Sequence, residues 1–234
     1  MYPTKKIQED VYAMQLDFSV IIKWLPAFGD AILVTLKTTI CSLMLGLVIS
    51  IPLSLCKIAN FKPAQWFASF YTSVFRGVPL LVQVFMMYFG VPLVLPVRFT
   101  AFQAGVLVFA MNSAAYISES LKGGINAIDK GQYEAAMALG VHYPSMMKDI
   151  ILPQAIKSVL PSLVNEFISL MKNTTLIASI GLVDILCVGQ QIQARTYRAF
   201  EPFFAIAVFY YALVMLLSAL GKLLERMVNK SDRG

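Results

Sequence analysis

Three stretches of this chain carry no charged residue over a length that matches a lipid bilayer: Thr38–Cys56, Phe99–Ser118 and Phe203–Gly221. An α-helix rises 1.5 Å per residue, so ~20 apolar residues cover the ~30 Å hydrocarbon core. Runs of that kind cannot all be buried in one soluble core. Composition agrees, with 58% of the 234 residues apolar or aromatic, 14% charged and a mean hydropathy of +0.71. A soluble domain carries about 25% charged residues. A cytosolic globular protein, a disordered chain and a disulfide scaffold are therefore excluded. The ~10-residue alternating segments of a membrane barrel are absent. The expected class is an all-α integral membrane protein.

Five spans are predicted, at about 31–56, 65–92, 99–121, 157–180 and 203–224. Arg76 interrupts the second, and the fourth carries Glu166 and Lys172. With the N-terminus outside, ten basic residues (Lys57, Lys62, Lys122, Lys130, Lys148, Lys157, Lys222, Arg226, Lys230 and Arg233) fall on the inner side. Six (Lys5, Lys6, Lys23, Arg98, Arg195 and Arg198) fall outside. The excess of basic residues on cytoplasmic loops favours N-out, C-in. The net charge of +6 then reflects those loops and not nucleic-acid binding. Lys37 sits near the outer end of the first span and is expected to snorkel. Residues 1–17 lack a compact apolar core with a cleavage site, so no signal peptide is expected. The predicted organisation is an outer or interfacial segment 1–27, a membrane domain 28–228 with a cytoplasmic loop 122–156, and a tail 229–234. Cys41, Cys56 and Cys187 have no metal-ligand spacing and are expected to be buried small apolar residues.

The inner loop carries the most specific pattern, QYEAAMALGVHYPSMMKDIILP over 132–153. Glu134-Ala135-Ala136 lies in a helix-forming stretch. Gly140 suits a left-handed cap. Tyr143-Pro144-Ser145 can start a second helix, with Pro144 in its first turn. Lys148 and Asp149 are expected to close it before Leu152-Pro153 opens the next span. The prediction is a cytoplasmic helix–turn–helix too short and polar to cross a membrane.

This loop resembles the EAA loop of binding-protein-dependent ABC importer permeases. Glu134-Ala135-Ala136, Gly140, Ile150 and Leu152-Pro153 meet that pattern at full spacing. The likeness covers about residues 17–228 and narrows to the polar amino acid subfamily of histidine, arginine, glutamine and cystine systems. The segments that carry it include Phe75-Arg76-Gly77-Val78-Pro79, Asn112-Ser113-Ala114-Ala115-Tyr116, Asn165-Glu166-Phe167 and Lys172-Asn173-Thr174-Thr175. The chain departs from the subfamily's more usual wording at Val78 and at Asn173-Thr174. The resemblance implies the five-helix type-I ABC importer (MetI-like) permease fold in a bacterial inner membrane. It implies a second permease, identical or homologous, two ATPase subunits, and a periplasmic or lipid-anchored binding protein that delivers the amino acid. It implies no cofactor of the chain's own, ATP-Mg being bound by the ATPase. Coupling to that ATPase is assigned to Glu134, Ala135, Ala136, Gly140, Pro144, Ile150 and Pro153.

Polar residues inside the spans are expensive in lipid and default to functional candidates. Ser158, Ser162, Asn165, Ser169 and Lys172 recur at steps of 4, 3, 4 and 3, which is one helix face. Glu166 borders it, and Asn173 and Thr174 extend it. Asn112, Tyr116 and Glu119 repeat the pattern in the third span. The candidate substrate path is Asn112, Tyr116, Glu119, Asn165, Glu166, Lys172 and Thr174. Glu166 and Glu119 are suited to accept from an ammonium or basic side chain, and Asn112, Thr174 and Thr175 to donate to a carboxylate. The bland alternative is interhelical hydrogen bonding, or ion pairs such as Glu166 with Lys172 or Glu119 with Lys122. Arg76, before a bend at Gly77 and Pro79, is assigned a structural role. Tyr197, Phe200, Phe203, Phe204, Tyr210 and Tyr211 are read as interface anchors and lipid-facing filler.

Two rival classes remain. A membrane enzyme needs a nucleophile–base pair or a metal cluster, yet the one histidine, His142, sits in the loop. No phosphate-cradling GxxxxGK[ST] is present, so the chain is not an ATPase by that route. A channel or ion-coupled carrier would use the same polar stripes but leaves the loop pattern without a purpose.

Overall fold

The computed structural model describes residues 16–230, with side chains through 228, and all regular structure among them is helical. The segments are α1 (Ser19–Ile58), α2 (Lys62–Gly77), α3 (Leu80–Val94), α4 (Ala101–Asn126), α5 (Lys130–Ala138), α6 (Tyr143–Ile180), α7 (Ile185–Thr196) and α8 (Phe200–Lys230). Helices α1, α4 and α8 are each long and apolar enough to cross a membrane. Two bent pairs, α2–α3 at 103° and α6–α7 at 46°, bring the spans to five if each pair counts as one. The five-span expectation fits this arrangement, with two of the spans broken. Helix α1 opens at Ser19, inside the segment 1–27 expected to precede the membrane domain. Residues 1–15, and 231–234 of the expected tail, lie outside the described residues.

Helix α1 has 40 residues, which at 1.5 Å each is about 60 Å, twice the hydrocarbon thickness. It contains Pro26 and Pro52. Its buried face runs Thr35, Thr38, Thr39, Ser42, Gly46, Ser50 and Ser54. Small residues let two helices in lipid approach closely. A Cβ at Gly46 would sit 3.1 Å from the Ala110 carbonyl oxygen of α4. Four hydroxyls on this face bond back along the helix, among them Thr39 Oγ1 to the Thr35 carbonyl and Ser50 Oγ to that of Leu47, both at 2.8 Å, while Ser42 Oγ is buried without a partner among the described residues. The face ends at Lys57, whose ammonium donates to Ser118 Oγ and to Glu119 Oε1 at 2.7 Å each.

The α2–α3 break follows from Pro79. A residue before proline is driven out of the helical region, and Val78 is extended at φ −92°, ψ 134°. The carbonyls this strands would be costly in lipid without donors. Gln83 Nε2 reaches the Phe75 and Val78 carbonyls at 3.0 and 2.8 Å, and Asn112 Nδ2 reaches Phe75 at 2.6 Å.

The helical hairpin α5–α6 forms as expected at its turn. Gly140 has φ +74°. The Val141 N–H returns to the Ala136 carbonyl and the Gly140 N–H to that of Met137, both at 3.0 Å, which closes a Schellman cap. Beyond the turn the expectation fails. No second short helix closes at Lys148–Asp149, because α6 runs unbroken from Tyr143 to Ile180. A π-helical stretch, Met146–Ile151, precedes Pro153. Its wider turn takes up the proline ring and the missing N–H without breaking the helix.

Three apolar clusters fix the long axis. One holds α7 against the first turns of α1 and α8, through Phe28, Ala31, Ile185, Val188, Ile192 and Ile206. A middle one joins Val84, Val108, Phe109, Leu170 and Ile177. The third seats the hairpin at the opposite end of the molecule, with Ala136, Met146, Ile151 and Ala155 against Ile125 and with Ile58 alongside. The hairpin is therefore anchored to the bundle rather than trailing from it.

Candidate functional site

A cavity of about 390 Å³ opens where α2 breaks, lined by Arg76, Asn112, Tyr116, Glu166, Ser169 and Asn173 with the Phe75–Leu80 backbone turn. Each wall has a sequence reason. Pro79 ends α2 just after Arg76, so the guanidinium projects from a helix end. Asn112 and Tyr116 are one turn apart on α4. Glu166, Ser169 and Asn173 follow at steps of 3 and 4 on α6. The Arg76 guanidinium lies 5.0 Å from the centre of the Tyr116 ring, a cation–π distance. Asn112 is committed by one N–H to the Phe75 carbonyl, which fixes its amide beside the opening. The cavity thus presents one cation, one carboxylate and several neutral donors, the complement of a zwitterion.

Of the expected path residues, Asn112, Tyr116 and Glu166 come together here. Arg76, assigned a structural role from sequence, lines the same cavity. Ser169 and Asn173, read as stripe and extension, line it as well. The others lie elsewhere. Glu119 pairs with Lys57, not Lys122; the Lys57 side chain is only 2% exposed against 40% for Glu119, so the pair ties α1 to α4. Thr174 is buried, its hydroxyl donating to the Met171 carbonyl at 2.7 Å. Thr175 donates to the Lys172 carbonyl at 2.9 Å. Asn165 faces a second concavity with Ser218, Lys222 and Glu225, and Lys172 is exposed.

Tyr210 is not lipid-facing filler. Its hydroxyl stands 3.4 Å from Oδ2 of Asp184, a fully buried side chain that also caps α7 through the Cys187 N–H at 2.8 Å. Sequence reading gave Asp184 no individual role, although an Asp shortly after the stop at Ile180-Gly181 is a capping signal. Tyr197, Phe200, Phe204 and Tyr211 are exposed as expected of anchors. Lys37 lies over the Phe102 ring at 5.4 Å. The three cysteines are free and half-buried.

The hairpin is the second feature. Ala136 is its buried anchor, while Glu134, Ala135, Gly140 and Pro144 are exposed. Ile150 is half-buried and Pro153 exposed. Leu139 is 82% exposed, and Met137 and Tyr143 stand out beside it. Burial raises the Tyr133 phenol above its usual range, with Tyr143 adding to the effect, and its hydroxyl donates to the Ile125 carbonyl at 3.5 Å. His142 is exposed at the start of α6. The hairpin thus carries exposed apolar side chains at its tip on a base anchored to the bundle.

A family model described as the inner membrane component of binding-protein-dependent transport systems matches residues 42–230. The arginine transport system permease protein ArtQ of Bacillus subtilis (strain 168) is 47% identical over 219 residues, which cover 94% of this chain and all of that protein. A putative glutamine transport system permease protein of Rickettsia felis is 44% identical, covering 89% of this chain and 97% of that one. A crystal structure of an amino acid ABC transporter with histidines superposes with a TM-score of 0.87 at 39% identity, covering 92% of this chain and all of its counterpart. The methionine ABC transporter MetNI, at 21% identity and a TM-score of 0.76, shares the fold. The chain belongs to the family of inner membrane components of binding-protein-dependent transport systems.

Proposed function

We propose that this chain is the permease subunit of an ABC importer for polar amino acids. It forms the translocation path and passes the motion of a separate ATPase to that path. The observation that carries the reading is the cavity itself, in which Arg76 and Glu166 share one opening with Asn112, Tyr116 and Asn173. Arg76 suits an α-carboxylate, and Glu166 suits an ammonium or a basic side chain. The similar proteins named for arginine, glutamine and histidines agree with such a ligand.

The hairpin 130–153 docks on the ATPase through its exposed tip in this reading. Two ATPase subunits closing on ATP carry the two hairpins with them, and the rigid Gly140 turn transmits the movement into α6, which lines the cavity. Access to the site then alternates across the membrane. The chain itself makes and breaks no bond, and ATP-Mg belongs to the partner. The hairpin end is cytoplasmic and the α7 end faces the binding protein, with the chain in a bacterial inner membrane. That places the C-terminus inside and the N-terminus outside.

The test is uptake into proteoliposomes holding the whole importer, with binding protein outside and ATP within. Wild type accumulates a cationic or amide amino acid only with ATP. Glu166→Gln is expected to lower uptake of a cationic amino acid at least about tenfold, roughly the 1.4 kcal/mol of one charge-assisted hydrogen bond. A neutral amide substrate is expected to lose less. Equal uptake by wild type and Glu166→Gln for every substrate would remove the cavity from the path.

A further inference from the structure

Phe75 and Val78 line two cavities at once: the polar one with Arg76 and Glu166, and an apolar one of about 250 Å³. Met86, Met87 and Met111 line the apolar one, and flexible thioether side chains yield to a moving neighbour. Gly77, the residue after Arg76, adds no hold of its own, since a Cβ there would meet nothing within 4 Å. Packing alone therefore does not fix the turn that carries Arg76.

Two amides do. Gln83 sits in the first turn of α3, with its backbone N–H on the Pro79 carbonyl at 3.2 Å. Its Nε2 reaches back to the Val78 and Phe75 carbonyls at 2.8 and 3.0 Å. Asn112 Nδ2 donates to the same Phe75 oxygen at 2.6 Å, so both of that oxygen's lone pairs are engaged. This carbonyl belongs to the peptide unit that ends at the Arg76 Cα, and a peptide unit is planar. Holding its oxygen from two sides fixes the point from which the Arg76 side chain starts. The grip has a cost, because Gln83 Oε1 is buried with no hydrogen-bond partner among the described residues.

We propose that Gln83 is a positioning residue for the substrate carboxylate: by clamping the Phe75–Arg76 peptide it holds the Arg76 guanidinium where an α-carboxylate in the cavity meets it. Gln83 does not line that cavity and acts through Arg76. A displacement of about 1 Å in such a group costs up to about a hundredfold in rate. This rests on the permease reading above, and it names the residue that sets the geometry of carboxylate recognition.

The experiment is uptake of arginine and of glutamine by the reconstituted importer, with loaded binding protein outside and ATP within. Gln83→Met keeps the length of the side chain and removes its donors. It is expected to lower the maximal rate at least about tenfold, with the KM for loaded binding protein and the amount of chain in the membrane unchanged. Arg76→Gln is expected to lower the rate to a similar extent. Adding Gln83→Met to Arg76→Gln is expected to lower it by less than about twofold more, because the group being positioned is already gone. Should Gln83→Met fail to reach the membrane, Gln83→Asn, whose shorter amide cannot span both carbonyls, takes its place with the same expectations. Effects that multiply in the double variant would show a merely structural role and overturn the proposal, as would wild-type uptake by the Gln83 variant. Wild-type uptake by Arg76→Gln would instead count against the cavity as the carboxylate site, and so against the reading on which the proposal rests.

Discussion

Gly140 stands at φ +74°, a conformation that L-residues with a side chain adopt at a cost and proline cannot adopt at all. A Cβ there would meet nothing within 4 Å, so the penalty of a substitution is conformational and not steric. Gly140→Ala is expected to cost about 1 kcal/mol locally and to leave most transport intact. Gly140→Pro is expected to destroy the turn while leaving insertion of the bundle intact. Uptake in vesicles is expected to fall to background while the amount of chain in the membrane is unchanged; normal uptake by that variant would end the coupling role. A different kind of prediction concerns Glu119. Removing its charge leaves the buried Lys57 ammonium with neutral acceptors and without a counter-ion. Breaking a buried pair costs ~3–5 kcal/mol, and because Glu119 is two-fifths exposed the lower end applies. Glu119→Gln should lower the thermal unfolding temperature in detergent, and Lys57→Met with Glu119→Leu should recover most of it. At this scale the sequence was legible where one residue dictates a local conformation, as at Gly140 or Pro79. It was not legible where two residues distant in the chain meet. Nothing local says that Glu119 takes Lys57 and not Lys122, three residues away.

Helix α1 packs on α4 through a row of small side chains, and the closest approach is at Gly46. Gly46→Val pushes a methyl group against the Ala110 carbonyl and Ser113, and overpacking of that kind costs about 1–3 kcal/mol. A Cβ at Gly29 on the same helix meets nothing within 4 Å, and Gly29→Val serves as the control. Thermal unfolding of the purified chain should separate the two, and equal midpoints would refute the close-packing role. Uncharged runs made the existence of the long helices plain, since lipid imposes one length and one secondary structure. The breaks were harder. Leu152-Pro153 reads as a start from sequence, yet the π-helical stretch before it lets α6 pass through. The polar stripes on α4 and α6 were visible as periodicities, but which of their members reach one cavity depends on how the helices are rotated. That rotation is set by the α1–α4 and α6–α8 contacts and leaves no mark within either stripe.

Across the whole molecule, the proposed function asks two features at different positions along α6 to work as one device. The cavity is built where α2 breaks and α4 and α6 face it; the hairpin sits at one end and continues directly into α6. A movement at the hairpin tip therefore has a covalent, helical route to Glu166, Ser169 and Asn173. The cavity was only half legible in the sequence, because Arg76 gains its place from the sharp bend at Pro79 and not from any period of its own span. The turn of the hairpin was legible because its spacing is local, whereas the run of its second arm straight into α6 was not. The most direct measurement is affinity purification of the tagged chain from its native membrane in mild detergent, with quantitative mass spectrometry, for wild type and for Leu139→Asp. The account predicts an ATP-binding subunit in stoichiometric yield with wild type, and its loss with Leu139→Asp while the chain itself is recovered in full. A chain that purifies without any ATP-binding subunit, or one that keeps it when the exposed tip is charged, would contradict the coupling of this path to ATP through the hairpin.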